Sequence, residues 1–260
     1  MNRPPIIVTR AGEAGRALAC ALQDAGEESL WVPAFELGPA PDAGHVSEVL
    51  ARLSSYNLAV FVSPAAVEAT AARLDGPWPA ATAIGAVGAG TRRAIRARIP
   101  GAALAPLFAP EAPESGSEGS GSEQLWQVLS PSINRLHRVL ILRAEHGREW
   151  LHDQMSAAGA RVDAVAVYTR RVAMISSNAA ATVRGWQAAG RNAVLVIASS
   201  EAVDAVIRQL DGLVGVAWTR SALALASHER IAQRLRTAGF VRVGVTPLDA
   251  EAIRKAILAQ

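Results

Sequence analysis

The chain has 260 residues, enough for one large domain or for two of roughly 130 residues that each bury a core. Half of the residues are hydrophobic and 19% are charged, a composition that excludes intrinsic disorder. The formal net charge of +3, from 26 basic and 23 acidic residues, is too small to predict nucleic-acid binding.

Hydropathy and cysteine content predict a cytoplasmic protein. Unbroken apolar runs such as residues 193–198 and 222–226 fall well short of the roughly 20 residues of a membrane-spanning helix. No long apolar stretch precedes Arg10, so we expect no signal peptide. A single cysteine, Cys20, agrees with a reducing compartment, and its flanking leucines predict a buried thiol on a helix.

Short apolar runs alternate with helical patterns along the chain. A strand at residues 6–8 precedes a helix over about residues 14–25, which Gly26 ends. The next strand, at residues 59–62, precedes a helix to Leu74 with Ser63 as cap and Pro64 in its first position. Further strand and helix pairs are predicted at 83–87 and 91–98, 138–142 and 148–158, 193–198 and 200–210, and 222–226 and 229–238, before a last capped helix at 249–259. This alternation predicts parallel sheets.

Three of these units recur in the same order. Residues 10–26 match residues 143–159 at an offset of 133, and residues 63–74 match residues 199–210 at an offset of 136. A looser match pairs residues 88–91 with 227–230 at an offset of 139. The repeat predicts an α/β protein with two flavodoxin-like domains rather than one closed barrel.

Two segments interrupt the pattern. Residues 106–124 are rich in Pro, Gly, Ser and Glu, a composition that predicts a flexible loop. Ser122 at its end is a candidate cap for a following helix through Leu129. Residues 33–42 form a second possible joint, with residues 35–37 extended between prolines.

Several reaction classes lack their motifs. The glycine-rich run at residues 85–91 has the reverse spacing of a dinucleotide fingerprint, and no phosphate-binding P-loop is present. The five histidines have no metal-ligand spacing, and no nucleophile elbow or nucleophilic cysteine motif occurs. Hydride transfer, phosphoryl transfer and covalent hydrolysis are therefore unsupported, and we expect no metal.

The positions after the predicted strands favour an anionic ligand. In open parallel sheets, ligands bind beyond the carboxyl ends of the strands, where helix N-termini present unpaired N–H groups. Hydroxyls, glycines and arginines stand there, and arginine suits bidentate contact with carboxylates. The candidate substrate-binding residues are Thr9, Arg10, Ser63, Ala65, Ala66, Gly88, Thr91, Ser122, Arg143, Gly147, Arg148, Ser199, Ser200, Glu201, Ser227, His228 and Arg230. For any single serine the alternative is a simple helix cap.

Tyr168 is one of only two tyrosines and ends an alternating run beside Thr169, Arg170 and Arg171. A phenol at a domain junction can donate a proton to a leaving oxygen. The equally open alternative is a tyrosine packed at the joint with its hydroxyl satisfied locally.

Taken together, these motifs resemble the uroporphyrinogen-III synthase family in their order over almost the whole chain. The matching residues are Val8-Thr9-Arg10, Phe61-Val62-Ser63-Pro64 with Ala66-Val67, Val87-Gly88 with Thr91, residues 139–143, Val167-Tyr168 with Arg170-Arg171, and Ser227-His228 with Arg230 to Ala232. The chain departs from the family pattern at Ala198-Ser199-Ser200, where a Thr-Ser pair is common, and in its long acidic Gly/Ser segment.

The resemblance implies a cofactor-free, monomeric cytoplasmic lyase of tetrapyrrole (haem) biosynthesis. Its substrate would be hydroxymethylbilane, a linear tetrapyrrole with eight carboxylates, and Tyr168 would be the proton donor. It also implies one domain from residues 1–36 and 172–260 and a second from residues 40–166. Residues 35–39 and 167–171 would form a two-stranded linker ladder, with the active-site cleft between the domains.

Two rival functions remain at this point. The first is a non-catalytic two-domain protein that binds an anionic small molecule through the same strand ends. The second is a glycosyltransferase-like enzyme with paired α/β units, which should carry a nucleotide-binding acidic or glycine motif that this sequence lacks. The isomer formed from hydroxymethylbilane separates the synthase from the binding protein.

Overall fold

The computed structural model describes residues 3–111 and 121–259. The chain divides into two compact units, a first unit of Met1–Glu36 with Arg171–Gln260 and a second unit of Leu37–Arg170. The strands are β1 Ile6–Val8, β2 Ser29–Trp31, β3 Phe35–Gly38, β4 Leu58–Phe61, β5 Ala83–Ala86, β6 Leu107–Phe108, β7 Arg138–Ala144, β8 Arg161–Val172, β9 Val194–Ile197, β10 Leu223–Ala226 and β11 Val243–Val245.

Helices connect most of these strands. They are α1 Gly12–Asp24, α2 Ala43–Ala51, α3 Pro64–Ala71, α4 Ala89–Arg98, α5 Gly121–Leu129, α6 Trp150–Ala157, α7 Ser177–Ala188, α8 Ser200–Val214, α9 Val216–Ser221, α10 Glu229–Thr237 and α11 Ala250–Leu258. Short 3₁₀ helices lie at Leu53–Ser55, Ala102–Leu104 and Ser130–Arg135.

The first unit is a parallel sheet in the order β11-β10-β9-β1-β2, which is the flavodoxin-like strand order. Its central strands are apolar on both faces because helices cover both, as expected of a parallel sheet. Ile7 faces a layer that includes Val183 and Val206, and Ile6 faces a layer that includes Leu22. The two faces therefore have separate cores.

The second unit has the order β3-β8-β7-β4-β5-β6, in which β4 to β8 are parallel. Helices α2, α3 and α4 cover one face, where Phe61 and Leu142 are buried, and α5 and α6 cover the other, where Val60 is buried. The Thr169 N–H donates to the Pro39 carbonyl oxygen, so the added strand β3 is held against β8.

The two sheets share one arrangement with permuted chain order. Replacing β1, β2, β9, β10 and β11 by β7, β8, β4, β5 and β6 converts one strand order into the other. The register agrees as well, because Val8 lies opposite Val196 just as Ile141 lies opposite Val60. These pairs reproduce the sequence offsets of 133 and 136. The predicted pair of similar parallel α/β domains is confirmed, with the first strands of the pattern coming last in the second unit.

The third part of the repeat is shifted by one residue from the sequence alignment. Leu225 lies opposite Val196, and Gly85 lies opposite Val60, which gives an offset of 140 instead of 139. The helix starts agree, since α4 begins at Ala89 and α10 at Glu229. The short glycine and serine motif was too weak to fix the alignment to a single residue.

Other expectations need correction. Cys20 is exposed, not buried. The segment 106–124 is not a loop throughout, because it contains β6 and the first turn of α5, while its residues 112–120 lie outside the described part of the chain. Ser122 lies inside α5 and is therefore not its cap. Among the described residues no helix is long and apolar enough to cross a membrane.

Candidate functional site

The carboxyl ends of β4, β5 and β7 meet at one edge of the second unit's sheet. Ser63 and Gly88 follow β4 and β5, and Arg143 is the penultimate residue of β7. Parallel pairing makes this convergence unavoidable, because strands that run in one direction end on one side. The structure thereby brings the predicted site residues Ser63, Gly88 and Arg143 to one edge of the sheet, at the N-termini of α3 and α4.

Ser63 begins α3 as its N-cap. Its Oγ accepts a hydrogen bond from the Ala66 N–H at 3.1 Å, and Pro64 fills the first turn, as the Ser-Pro pair predicted. The same Oγ lies 3.2 Å from the Tyr168 Oη, so the two hydroxyls form a hydrogen bond. Ala66 itself is fully buried and its N–H is occupied by Ser63, so it offers no free contact to a ligand.

Tyr168 is held near the end of the long strand β8. A β-bulge between Arg143 and Ala144 places Ala144 opposite Tyr168, and the Tyr168 carbonyl oxygen accepts from the Glu145 N–H at 3.0 Å. Only 7% of the residue is exposed, because its ring belongs to the core beneath α3. The ring is therefore fixed, as the packing alternative required, and its hydroxyl has a local partner in Ser63.

The start of α5 lies against the end of β5. A Cβ on Gly121 would stand 2.2 Å from the Val87 carbonyl oxygen, so only glycine allows this close approach. Ser122 is consequently placed near Gly88. In the same first turn, Glu123 accepts a hydrogen bond from the Arg148 guanidinium at 2.6 Å, which ties α5 to the segment that follows β7.

The arginines of this edge are held by glutamates that sequence reasoning missed. The Arg143 guanidinium donates to Glu149 at 2.6 Å, and the side chain of Arg143 is 17% exposed. Arg148 and its partner Glu123 are separated by 25 residues, so no local spacing could have indicated the pair. Gly147, between the two arginines, has open space around its missing Cβ.

Helix α4 starts without a side-chain cap. Gly88 is its N-cap in an extended conformation, and space for a Cβ is open there, so the glycine is not required sterically. The first-turn N–H groups of α4 accordingly lack the side-chain oxygen that Ser63 supplies to α3. Thr91 in that turn is 2% exposed, which removes its hydroxyl from the surface. Ala65, in the first turn of α3, is half-buried.

In the first unit the ends of β1, β9 and β10 form the corresponding edge. Thr9 is buried, and its hydroxyl donates to the Val196 carbonyl oxygen at 2.8 Å, so it links β1 to β9 instead of facing a ligand. The Arg10 carbonyl oxygen accepts from the Trp31 Nε1–H at 2.8 Å. Arg10 therefore has its backbone fixed by β2.

Ser199 caps α8 as Ser63 caps α3, with its Oγ 3.2 Å from the Ala202 N–H. The neighbouring Ser200 Oγ is buried and has no hydrogen-bond partner among residues 3–111 and 121–259. Glu201 is exposed in the first turn of α8. The structure thus places Ser199, Ser200 and Glu201 together at one helix start.

His228 caps α10, its Nδ1 accepting from the Arg230 N–H at 3.2 Å. Ser227, His228 and Arg230 are all exposed. In contrast to Arg143 and Arg148, the Arg230 guanidinium forms no ion pair with any residue that the structure describes. A basic group is therefore available at this helix start.

A second polar network lies at the opposite, amino-terminal end of the second unit's sheet. The Tyr56 hydroxyl donates to the Asp163 carboxylate at 2.7 Å, and the Arg138 guanidinium lies 3.4 Å from the same oxygen and over the Tyr56 ring. Burial raises the pKa of Tyr56, and its bond to Asp163 adds to this. Burial opposes ionisation of Asp163, but the hydrogen bonds from Tyr56 and Arg138 outweigh it and lower the pKa of Asp163.

This network distinguishes the two tyrosines. Tyr56 is paired with a carboxylate and a guanidinium at the strand starts, whereas Tyr168 lies by the strand ends and bonds a neutral hydroxyl. Ligands of open parallel sheets bind at the strand ends. In the part of the chain that the structure covers, no group of three or more His, Cys, Asp and Glu side chains is arranged to hold a metal ion.

Two doubly wound α/β units with hydroxyls, arginines and helix N-termini at their strand ends define a class of α/β proteins suited to anionic small molecules. A family model described as uroporphyrinogen-III synthase HemD matches residues 16–247. The chain therefore belongs to the uroporphyrinogen-III synthase family.

Two curated relatives agree with this assignment over nearly full length. Uroporphyrinogen-III synthase of Escherichia coli (strain K12) is 27% identical over 262 residues, which cover 97% of this chain and 99% of that protein. Uroporphyrinogen-III synthase of Salmonella typhimurium is 28% identical over 258 residues, with the same two coverages.

Solved structures with the same fold are similar over the whole chain. The Helicobacter pylori uroporphyrinogen-III synthetase has a TM-score of 0.60 at 13% identity and covers 99% of each chain. A mutant Thermus thermophilus uroporphyrinogen III synthase has a TM-score of 0.55 at 19% identity, covering 98% of this chain and 100% of that one. The expected two-domain α/β fold is confirmed.

Proposed function

We propose that this protein cyclises hydroxymethylbilane to uroporphyrinogen III with inversion of ring D and loss of one water. It is thus a hydro-lyase of tetrapyrrole biosynthesis. The observation that carries the proposal is the family match over residues 16–247, together with relatives of that name aligned over 97% of the chain. The strand ends of each unit carry hydroxyl and arginine groups that can bind carboxylates.

The proposed reaction begins when the terminal hydroxyl of the bilane leaves with a proton as water. The electron-rich pyrrole drives this departure and becomes a methylene-pyrrolenine electrophile. Ring D attacks through its substituted carbon, a spiro intermediate forms, and ring D inverts before the macrocycle closes. No external oxidant or reductant is needed. The protein's main task is to hold a flexible polyanion in one reactive shape.

In the second unit, Arg143 and Arg148 are the proposed carboxylate contacts, together with Ser122, Gly147 and the uncapped start of α4 at Gly88. Both arginines are paired with glutamates whose side chains are 52% and 32% exposed. Exposed ion pairs contribute only about 0.2–1 kcal/mol, so a substrate carboxylate can replace such a partner at small cost. Preformed pairing also keeps each guanidinium oriented before substrate binds.

In the first unit, the proposed contacts are Arg10, Ser199, Ser200, Glu201, Ser227, His228 and Arg230. Arg230 has an exposed guanidinium, and Ser200 has a buried hydroxyl that lacks a partner within the described ranges. Four residues leave the proposed contact set, because the side chains of Thr9, Ala66 and Thr91 are buried and the Ser63 hydroxyl is bonded to the Ala66 N–H and to Tyr168. Ala65, in the first turn of α3, stays in the set.

Tyr168 is the proposed proton donor to the departing hydroxyl. Its phenol oxygen lies at the strand ends beside the α3 N-terminus, and its buried ring fixes the position of that oxygen. A general acid contributes about 10²–10⁴-fold to a rate, while this leaving group is already activated by the pyrrole. Tyr168→Phe should therefore lower kcat about 10- to 100-fold and leave the fold intact.

The remaining parts of the proposal concern organisation and setting. The domains are residues 1–36 with 172–260 and residues 40–166, the ladder is formed by residues 35–39 and 167–171, and the protein acts as a cytoplasmic monomer without a cofactor. Its ligand is a small molecule, and neither nucleic acid nor a membrane is a partner. Supporting observations are the modest net charge of +3 and the separation of the chain into two compact units.

The decisive experiment is the isomer assay. Freshly made hydroxymethylbilane is incubated with the protein, and the uroporphyrinogen products are oxidised and separated. The type III isomer should dominate. Recovery of only the spontaneously formed type I isomer would reject the synthase and leave a non-catalytic protein that binds an anion.

A further inference from the structure

The Ser63 and Tyr168 hydroxyls form a pair across the second unit. They are 105 residues apart in the chain, yet the end of β4 and the end region of β8 bring their oxygens to 3.2 Å. The positions of both hydroxyls are fixed by the surrounding structure. Ser63 is fixed by its cap on α3, and the Tyr168 ring is fixed by the core.

The cap limits how these two hydroxyls can share their protons. The Ser63 oxygen already accepts the Ala66 N–H, which leaves it one lone pair and one proton. If Ser63 donates its proton to the Tyr168 oxygen, the phenol proton is left for another acceptor. If Tyr168 donates instead, its proton is spent on Ser63 and is unavailable to substrate.

We propose that Ser63 is a positioning residue that donates a hydrogen bond to the Tyr168 oxygen and so directs the phenol proton toward the leaving hydroxyl of the substrate. This rests on the proposed function of the chain. As the proton moves to the leaving oxygen, the C–O bond breaks, water departs, and negative charge develops on the phenol oxygen. A donor already aimed at that oxygen stabilises the charge as it forms.

The competing explanation is that Ser63 only caps α3. Ser176 is a suitable control because it caps α7 in the same way, with its Oγ accepting from the Ala179 N–H at 3.3 Å. Among the residues that the structure describes, no hydrogen bond links Ser176 to a tyrosine, and Ser176 is absent from the proposed binding set. Ser176→Ala therefore removes the same kind of cap without changing a phenol.

The test is a double-mutant cycle on kcat with the full-length protein. Ser63→Ala should lower kcat about 10-fold or more while KM changes less than about threefold, and Tyr168→Phe should lower kcat about 10- to 100-fold. The double variant should be no slower than Tyr168→Phe alone, because the two residues act as one unit. Ser63→Thr keeps both the cap and the donor, and its kcat should stay within about threefold of wild type.

Three results would overturn the inference. The first is additive losses in the cycle, and the second is an equal fall in kcat for Ser176→Ala. The third is a kcat of Ser63→Gly close to that of wild type. Ser63→Gly also serves if Ser63→Ala does not fold, since glycine at an N-cap costs helix stability only a few tenths of a kcal/mol. Product analysis separates the two proposals, because a wild-type protein that forms only type I isomer refutes the synthase itself, whereas additive losses in an enzyme that forms type III refute only the role of Ser63.

Discussion

Gly15 of α1 is expected to resist the substitution that normally strengthens a helix. A Cβ there would stand 1.8 Å from the Arg10 carbonyl oxygen and 2.8 Å from the Trp31 Nε1. An ordinary C···O contact is about 3.3 Å, so Gly15→Ala must displace Arg10 by about 1.5 Å and break its 2.8 Å bond from Trp31. Overpacking costs about 1–3 kcal/mol and the lost bond about 1 kcal/mol, against a gain of about 1 kcal/mol in helix propensity.

The expected net effect of Gly15→Ala is a loss of about 1–3 kcal/mol in the free energy of unfolding. Gly185, an exposed position inside α7, is the matched control because its missing Cβ has nothing within 4 Å. Gly185→Ala should stabilise by up to about 1 kcal/mol. Urea denaturation of both variants measures the difference. Equal stabilisation by the two substitutions would show that the Arg10 carbonyl does not constrain α1.

Three further predictions concern charge. Glu27 has a side chain that is only 6% exposed and accepts from Arg3 and Arg254, so Glu27→Gln should lower the free energy of unfolding by about 1.5–3 kcal/mol in urea denaturation. The folded-state pKa of Asp163 is lowered. The stabilising contribution of the Asp163 carboxylate is therefore fully present above the pKa of the unfolded state, and it is lost as the pH falls through the pKa of the folded state. The free energy of unfolding of wild type should therefore fall more steeply below pH about 4 than that of Asp163→Asn, and equal slopes would contradict this. Rising salt should increase KM for the polycarboxylate substrate, whereas a KM that stays constant between low and high ionic strength would argue against electrostatic binding.

The strongest local signals predicted much of the fold. The buried strands β4, β9 and β10 are continuous apolar runs, and the Ser-Pro pair at Ser63 marked both the start and the cap of α3. Edge strands gave no such signal. The three-residue strand β2 and the half-exposed β11 are too short for a period to appear.

The spacing of apolar residues along α1 and α2 indicates which face of each helix is buried. Cys20 lies two residues from Leu18 and from Leu22, which at about 100° per residue is on the opposite side of α1 from both. Its exposure therefore follows from the same leucines that suggested burial. Helix α2 also had a readable signal, because Asp42 caps it and Val46 and Leu50 lie one turn apart on its buried face.

The candidate site could be located from sequence only as a set of strand ends. Which residues touch depends on pairing between distant segments, as the bonds from Arg148 to Glu123 and from Ser63 to Tyr168 show. The burial of Thr9 also depends on such pairing, since its hydroxyl bonds the Val196 carbonyl from the neighbouring strand. No spacing along the chain contains that information.

The permuted strand order has a consequence for biosynthesis. The second unit is one uninterrupted stretch, whereas in the first unit Ile6 of β1 must find Val194 of β9. A ribosome releases the N-terminal strand long before its partner exists, so the middle of the polypeptide can fold first while β1 waits. A released fragment that ends at residue 190 should accordingly carry a protease-resistant core from the second unit and an N-terminal stretch that is still open to cleavage.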